Sequence, residues 1–257
     1  MNLKTQLLVA LAALSLTAQV AAAECTEWNT LAFFQSTTLE EVIDCLNAGA
    51  EVTPRDESGR TPLHDAAFFD TDPAIITALT NAGAEVEARD RYGHTPFHFA
   101  AQTNTSPAII TALVEAGAEV NARNVEGSTP LHLAAKFNTN PAIITALVEA
   151  GAEVNARDKG GLTLLHTAVW FNDNPAIITA LADAGAEVDA QIAGGLSPLH
   201  LAAVSSDNPA IIAALLDAGA DATAQNTAGL TPWDYAEDRE ELKGSDAYRR
   251  LGEARFR

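Results

Sequence analysis

Positive charge is scarce in this chain: 15 Lys and Arg stand against 34 Asp and Glu over 257 residues, a formal net charge of −19. Such a surface repels nucleic acid and anionic lipid and steers basic partners toward it, besides keeping the chain in solution. Long apolar runs are missing too. The longest, Leu7 to Leu16, falls short of the roughly 20 residues that span a bilayer, so no membrane insertion is expected. Motifs of catalysis are equally absent. There is no HExxH, no phosphate loop and no dinucleotide fingerprint, and "GLSPLH" lacks the second glycine of a nucleophile elbow. A hydrolase would need a nucleophile and base that the sequence does not display, so no enzyme and no cofactor are expected.

The short apolar run does have a role. Lys4 precedes it and Ala21-Ala22-Ala23 follow it, the layout of a secretory signal peptide over residues 1–23. Glu24 stands before Cys25 where lipidation signals have a small residue, so a soluble exported chain starting near Glu24, periplasmic or secreted, is expected. Removing residues 1–23 takes away Lys4 and no acid, which leaves the remainder one charge more negative. Cys25 and Cys45 are the only cysteines. Export places them where disulfides persist, so a bridge is expected, two reduced buried thiols being the alternative.

What is abundant is repetition. "PAIITALVEAGAEVNAR" fills residues 107–123 and again 141–157, and "PAIITALADAGAEVDAQ" begins at Pro175. Gly59, Gly93, Gly127, Gly161, Gly195 and Gly229 recur at the same spacing of 34. They open the phrases GRTPLHDAA, GHTPFHFAA, GSTPLHLAA, GLTLLHTAV, GLSPLHLAA and GLTPWDYAE. In each phrase Gly relaxes the backbone, Thr or Ser caps, and Pro fits a first helical turn, which predicts a short helix. A second helix is predicted from Pro73, Pro107, Pro141, Pro175 and Pro209, capped by Asp72, Ser106, Asn140, Asn174 and Asn208. Its apolar face is read as Ile110, Leu113 and Val114 and their equivalents, and Gly117 ends it. One such unit cannot bury its own face, so neighbours must stack.

At the TPLHxA phrases the chain resembles the ankyrin-repeat family, across residues 25–257. It departs in its period of 34, in Leu164 for Pro, and in Trp233-Asp234 for Leu-His. The resemblance implies an all-α solenoid of helix-turn-helix units with short extended fingers. Its boundaries are an N-terminal capping repeat at 24–55, five repeats at 56–89, 90–123, 124–157, 158–191 and 192–225, and a C-terminal capping repeat at 226–257. The extra residue is placed in the inter-helix loop, in "FNTNP" and its equivalents. The ends also look like those of exported bacterial ankyrin proteins.

His64, His98, His132, His166 and His200 share the period. Units about 10 Å apart hold such histidines too far from one another to share a zinc at about 2 Å each. The family's TPLH implies struts, each bonded to its own Thr and the neighbouring loop. Acid-rich loops such as "FDTDP" offer oxygen ligands to calcium, yet Asp72 and its equivalents are explained as helix caps.

That leaves positions where the copies disagree. The family binds through finger tips and the exposed side of the first helix, which implies a protein partner, basic in character, on the concave face of a monomer. By phase, the partner-binding residues are Phe68, Phe69, Tyr92, Lys136, Phe137, Lys159, Trp170 and Phe171, with the aromatics lining one concave row. The alternative for some of them is packing against the inter-helix loop. Alternatives for the whole chain are a structural or protective periplasmic protein, or a secreted host-directed factor.

Overall fold

Proline opens both helices of most units. Pro62, Pro96, Pro130, Pro198 and Pro232 begin the first helices, and Pro73, Pro107, Pro141, Pro175 and Pro209 the second. A locked φ suits a first turn, where no backbone donor is lost. The computed structural model describes residues 25, 28, 30–69 and 71–256; the expected signal peptide lies outside them. Among the described residues there are 14 α-helices and no strands. They pair as α1 (Leu31–Ser36) with α2 (Leu39–Asn47), α3 (Pro62–Phe68) with α4 (Pro73–Asn81), and α5 (Pro96–Thr103) with α6 (Pro107–Glu115). Next come α7 (Pro130–Phe137) with α8 (Pro141–Glu149), α9 (Leu164–Phe171) with α10 (Pro175–Asp183), and α11 (Pro198–Ser205) with α12 (Pro209–Asp217). The last pair is α13 (Pro232–Ala236) and α14 (Asp246–Ala254). None of these helices is long and apolar enough to cross a membrane.

First helices stack on first helices and second on second, which makes two layers. Ala100, Ala101, Ala134, Ala135, Ala202 and Ala203 are buried between first helices, where small side chains let neighbours approach closely. In α6 the buried residues are Ile109, Ile110 and Leu113. The expected face of Ile110, Leu113 and Val114 is therefore rotated: Val114 is only half-buried. Each second helix meets its own first helix and a neighbour on either side, so its apolar stripe is wider than one face.

Four of the five expected caps form. Asp72, Asn140, Asn174 and Asn208 each accept from the backbone N–H two residues on. Ser106 makes no side-chain cap bond; its own N–H is instead held by Asn104 Oδ1 at 3.0 Å. Four of the five histidines are struts, as their place in TPLH implies; His132 bonds its own Thr129, but its buried Nε2 has no partner on the next finger. His98 Nδ1 accepts the backbone N–H of Thr95 at 3.2 Å, and Nε2 donates to the Ser128 carbonyl of the next finger at 3.2 Å. His64, His166 and His200 likewise donate to the carbonyls of His94, Leu196 and Leu230.

Two polar ladders tie the units together. Arg55 Nη1 donates to the carbonyls of Gly59 and Arg89, both at 2.8 Å. Arg89, Arg123 and Arg157 repeat the pattern, each reaching a carbonyl 34 residues on, until Gln191 ends the series. The second ladder runs through the inter-helix loops. Asn138 Nδ2 donates to the Ala101 and Asn104 carbonyls at 2.9 Å each, and Asn172 does so to Ala135 and Asn138. Asn140, Asn174 and Asn208 cap with Oδ1 and use Nδ2 on a carbonyl 35 residues back.

At the fingers, Gly127 and Gly195 hold φ of 76° and 72°, a region open to glycine. A Cβ there would stand 3.0 Å from Lys159 N and 2.9 Å from Thr227 N of the next finger. At one end Cys25 and Cys45 are bridged, with Cα atoms 5.6 Å apart, and Trp28 Nε1 donates to the Glu51 carbonyl at 2.8 Å. At the other, Trp233 packs on Tyr248 and Arg250 pairs with Asp217 at 2.7 Å.

Candidate functional site

The last turn of the first helix is where packing releases the sequence. Over the middle of the stack, first helices lie closer together than second helices do. The residues that end α3, α5, α7, α9 and α11 are Phe68, Gln102-Thr103, Lys136-Phe137, Trp170-Phe171 and Val204-Ser205. Of these, Phe137, Trp170, Phe171 and Val204 are exposed.

These side chains form two clusters, not one row. In the first, Phe68 lies 5.1 Å from Phe69 and 6.0 Å from Phe99, ring centre to ring centre. Phe99 lies 5.6 Å from His94, and His94 6.1 Å from Tyr92. Phe68 and Phe69 are half-buried, and Phe69 packs against the core. Tyr92 is exposed, with the Arg91 guanidinium 5.8 Å from its ring.

The second cluster is open to solvent. Trp170 stacks on Phe171 at 6.1 Å with 19° between the planes. The Lys136 ammonium sits 4.3 Å from the Phe171 ring and 4.8 Å from the Phe137 ring, between two units. Phe137, Phe171 and Trp170 are 48%, 50% and 52% exposed. Between the clusters lies a polar break, where Thr103 Oγ1 donates to the carbonyls of Phe68 and Phe99. Lys159 stands elsewhere: from its finger tip, Nζ donates to the Val125 carbonyl at 2.7 Å, tying one finger to the previous one.

Two residues of the first-helix layer escaped the sequence reading, Phe99 and Asp65. Both occupy the variable letter of TPLHxA, which runs Asp65, Phe99, Leu133, Thr167, Leu201; the rule that disagreeing copies mark released positions applies there too. Asp65 is 2% exposed, its Oδ1 makes no hydrogen bond, and Arg60 Nη1 stands 3.8 Å away. Burial pushes its carboxyl up to about 6, only partly offset by Arg60. Burial also pushes His64, His98 and His132 down to about 4, and His166 in the same direction. With Nδ1 turned to a threonine or serine and Nε2 to a carbonyl, His64, His98, His166 and His200 present no nitrogen to a ligand. Among the described residues, no group of three or more His, Cys, Asp or Glu is placed to hold a metal ion.

A family model of ankyrin repeats in three copies matches residues 27–124, 106–192 and 132–226. Among solved structures, the chain is similar to the ankyrin repeat domain of Bcl-3, described as a unique member of the IkappaB protein family. The two are 31% identical, with 82% of this chain and 91% of that one covered and a TM-score of 0.64. No curated protein matches the chain.

Proposed function

This chain belongs to the ankyrin-repeat family, and from that premise we propose that it is a non-enzymatic module that holds a protein partner on its inner, concave face. Ankyrin repeats are generally protein–protein interaction modules. One observation supports the choice of face: Phe137, Phe171 and Trp170 are half exposed side by side, at positions that stacking does not dictate. Contiguous exposed aromatic area marks interaction sites, and aromatics dominate binding hot spots. Tyr92 extends the face, and Lys136 lies within it.

The test is Trp170→Ala, measured for stability and for affinity. Capture with the protein lacking residues 1–23 supplies the partner, whose affinity is then measured with purified components. Trp170 rests on Phe171 and otherwise faces solvent, so the melt should barely move while binding weakens by about 2 kcal/mol or more. A variant that unfolds, or that binds with unchanged affinity, ends this reading of the face.

Export of the chain, to the periplasm or beyond the cell, is proposed from the layout of residues 1–23 and from the cysteine pair. Intact mass spectrometry of protein recovered from outside the cytoplasm should find Glu24 at the start and the mass deficit of one disulfide. Retention of residues 1–23, or two alkylatable thiols in the native protein, contradicts it.

A further inference from the structure

The Lys136 ammonium shows what the cleft between Phe137 and Phe171 accepts. A cation within about 6 Å of a ring centre is held by the ring quadrupole, and here two rings from successive units face one ammonium at 4.8 and 4.3 Å. Trp170 backs the Phe171 ring and enlarges the aromatic surface. Asp173 lines the same groove and is exposed. The chain around it carries a net charge of −19, which draws cations to it and repels anionic segments.

Resting on the reading of this face as the binding face, we propose that the Phe137–Phe171 cleft receives a cationic side chain of the partner, arginine above all, and that Lys136 is its internal placeholder. Lysine is well suited to be displaced. Its ammonium is strongly hydrated and returns to water at little cost, on a flexible stem. A guanidinium is planar, more weakly hydrated and stacks on aromatic faces, so it gains more from the same two rings. Asp173, at the edge of the groove, is placed to meet the charge. The partner that fits is therefore a basic segment with exposed arginine, in keeping with the acidity of the whole chain.

A fluorescent peptide of alternating arginine and glycine is the probe, with a glutamate–glycine peptide as its counterpart. The arginine peptide should bind and the glutamate peptide should not. Lys136→Gln, which empties the cleft, should tighten the arginine peptide about threefold, and Phe137→Ala with Phe171→Ala should weaken it about tenfold. Lys243→Gln removes the same charge at the far end, where Lys243 pairs with Glu240, and reports the general electrostatic gain alone. A melt of each variant confirms that the fold is kept. The proposal is overturned if Lys136→Gln weakens the arginine peptide or matches Lys243→Gln, if the paired alanines leave binding unchanged, or if the glutamate peptide binds through Lys136. Loss of partner binding in Trp170→Ala without competition by the arginine peptide overturns cationic occupancy and leaves the binding face standing. Unchanged partner affinity in Trp170→Ala removes the face itself.

Discussion

Burial makes the strut histidines a source of acid sensitivity. His64, His98 and His132 are held near 4 in the fold, against an ordinary value of 6.5, because the charged imidazolium would lose its water. In His64 and His98 the carbonyl at Nε2 fixes the proton there and leaves Nδ1 to accept, so a second proton would break the bond to the helix start; His132 also accepts at Nδ1 from its own Thr129, but its buried Nε2 has no partner. The folded value lies below the unfolded one, so the unfolded chain takes up protons first as pH falls. The stability these residues contribute is whole above about 6.5 and is lost progressively toward about 4. Asp65 acts in the opposite sense: its folded value is raised from 3.8 to about 6, so acidification through that window favours the fold. Three histidines, joined by His166, outweigh one carboxyl. Urea midpoints should therefore fall between about pH 7 and about pH 4.5, less steeply in His98→Gln. A midpoint flat over that range would mean that the histidines are solvated.

Helices were legible in the sequence because their signals are local. A capping side chain, a proline and a left-handed glycine all act within one turn, and the structure keeps nearly all of them. Ladder contacts were not legible. Asn140 announces itself as a cap through Oδ1, but its Nδ2 spends its bond on Thr105, 35 residues back, and no local pattern distinguishes such an asparagine. The candidate site divides the same way. Which positions vary was readable from the copies; that Thr103 splits the aromatics in two, and that Lys136 folds between two rings, depends on side-chain reach across units. The ladder has a measurable weight. Asn138→Ala strips a donor from two buried carbonyls and should cost about 1–3 kcal/mol. Leu147→Ala, fully buried in α8, should cost about 2–5 kcal/mol. Glu126→Gln at an exposed finger tip should cost under about 0.5 kcal/mol. Denaturant melts that reverse this order would refute the ladder as a source of stability.

At the scale of the molecule, each end is closed by contacts that the repeating units do not use: a disulfide and the Trp28 bond at one, Trp233 on Tyr248 and the Arg250–Asp217 pair at the other. Between the ends the main helix contacts among the described residues fall within a unit or between adjacent units, the condition under which stability becomes a sum over units and interfaces. The arginine ladder makes this literal. Each guanidinium bonds a carbonyl four residues on in its own finger and one 34 residues on in the next. Were residues 90–123 excised, Arg89 would stand where Arg123 stands, facing the carbonyls of Gly127 and Arg157, while Arg55 kept both of its acceptors. The ladder itself would lose no bond, and Lys136, Phe137, Trp170 and Phe171 would remain. Length in this molecule is thus a heritable quantity separable from specificity: a lineage can add or shed a unit by recombination between near-identical stretches and change its reach without composing a new interface.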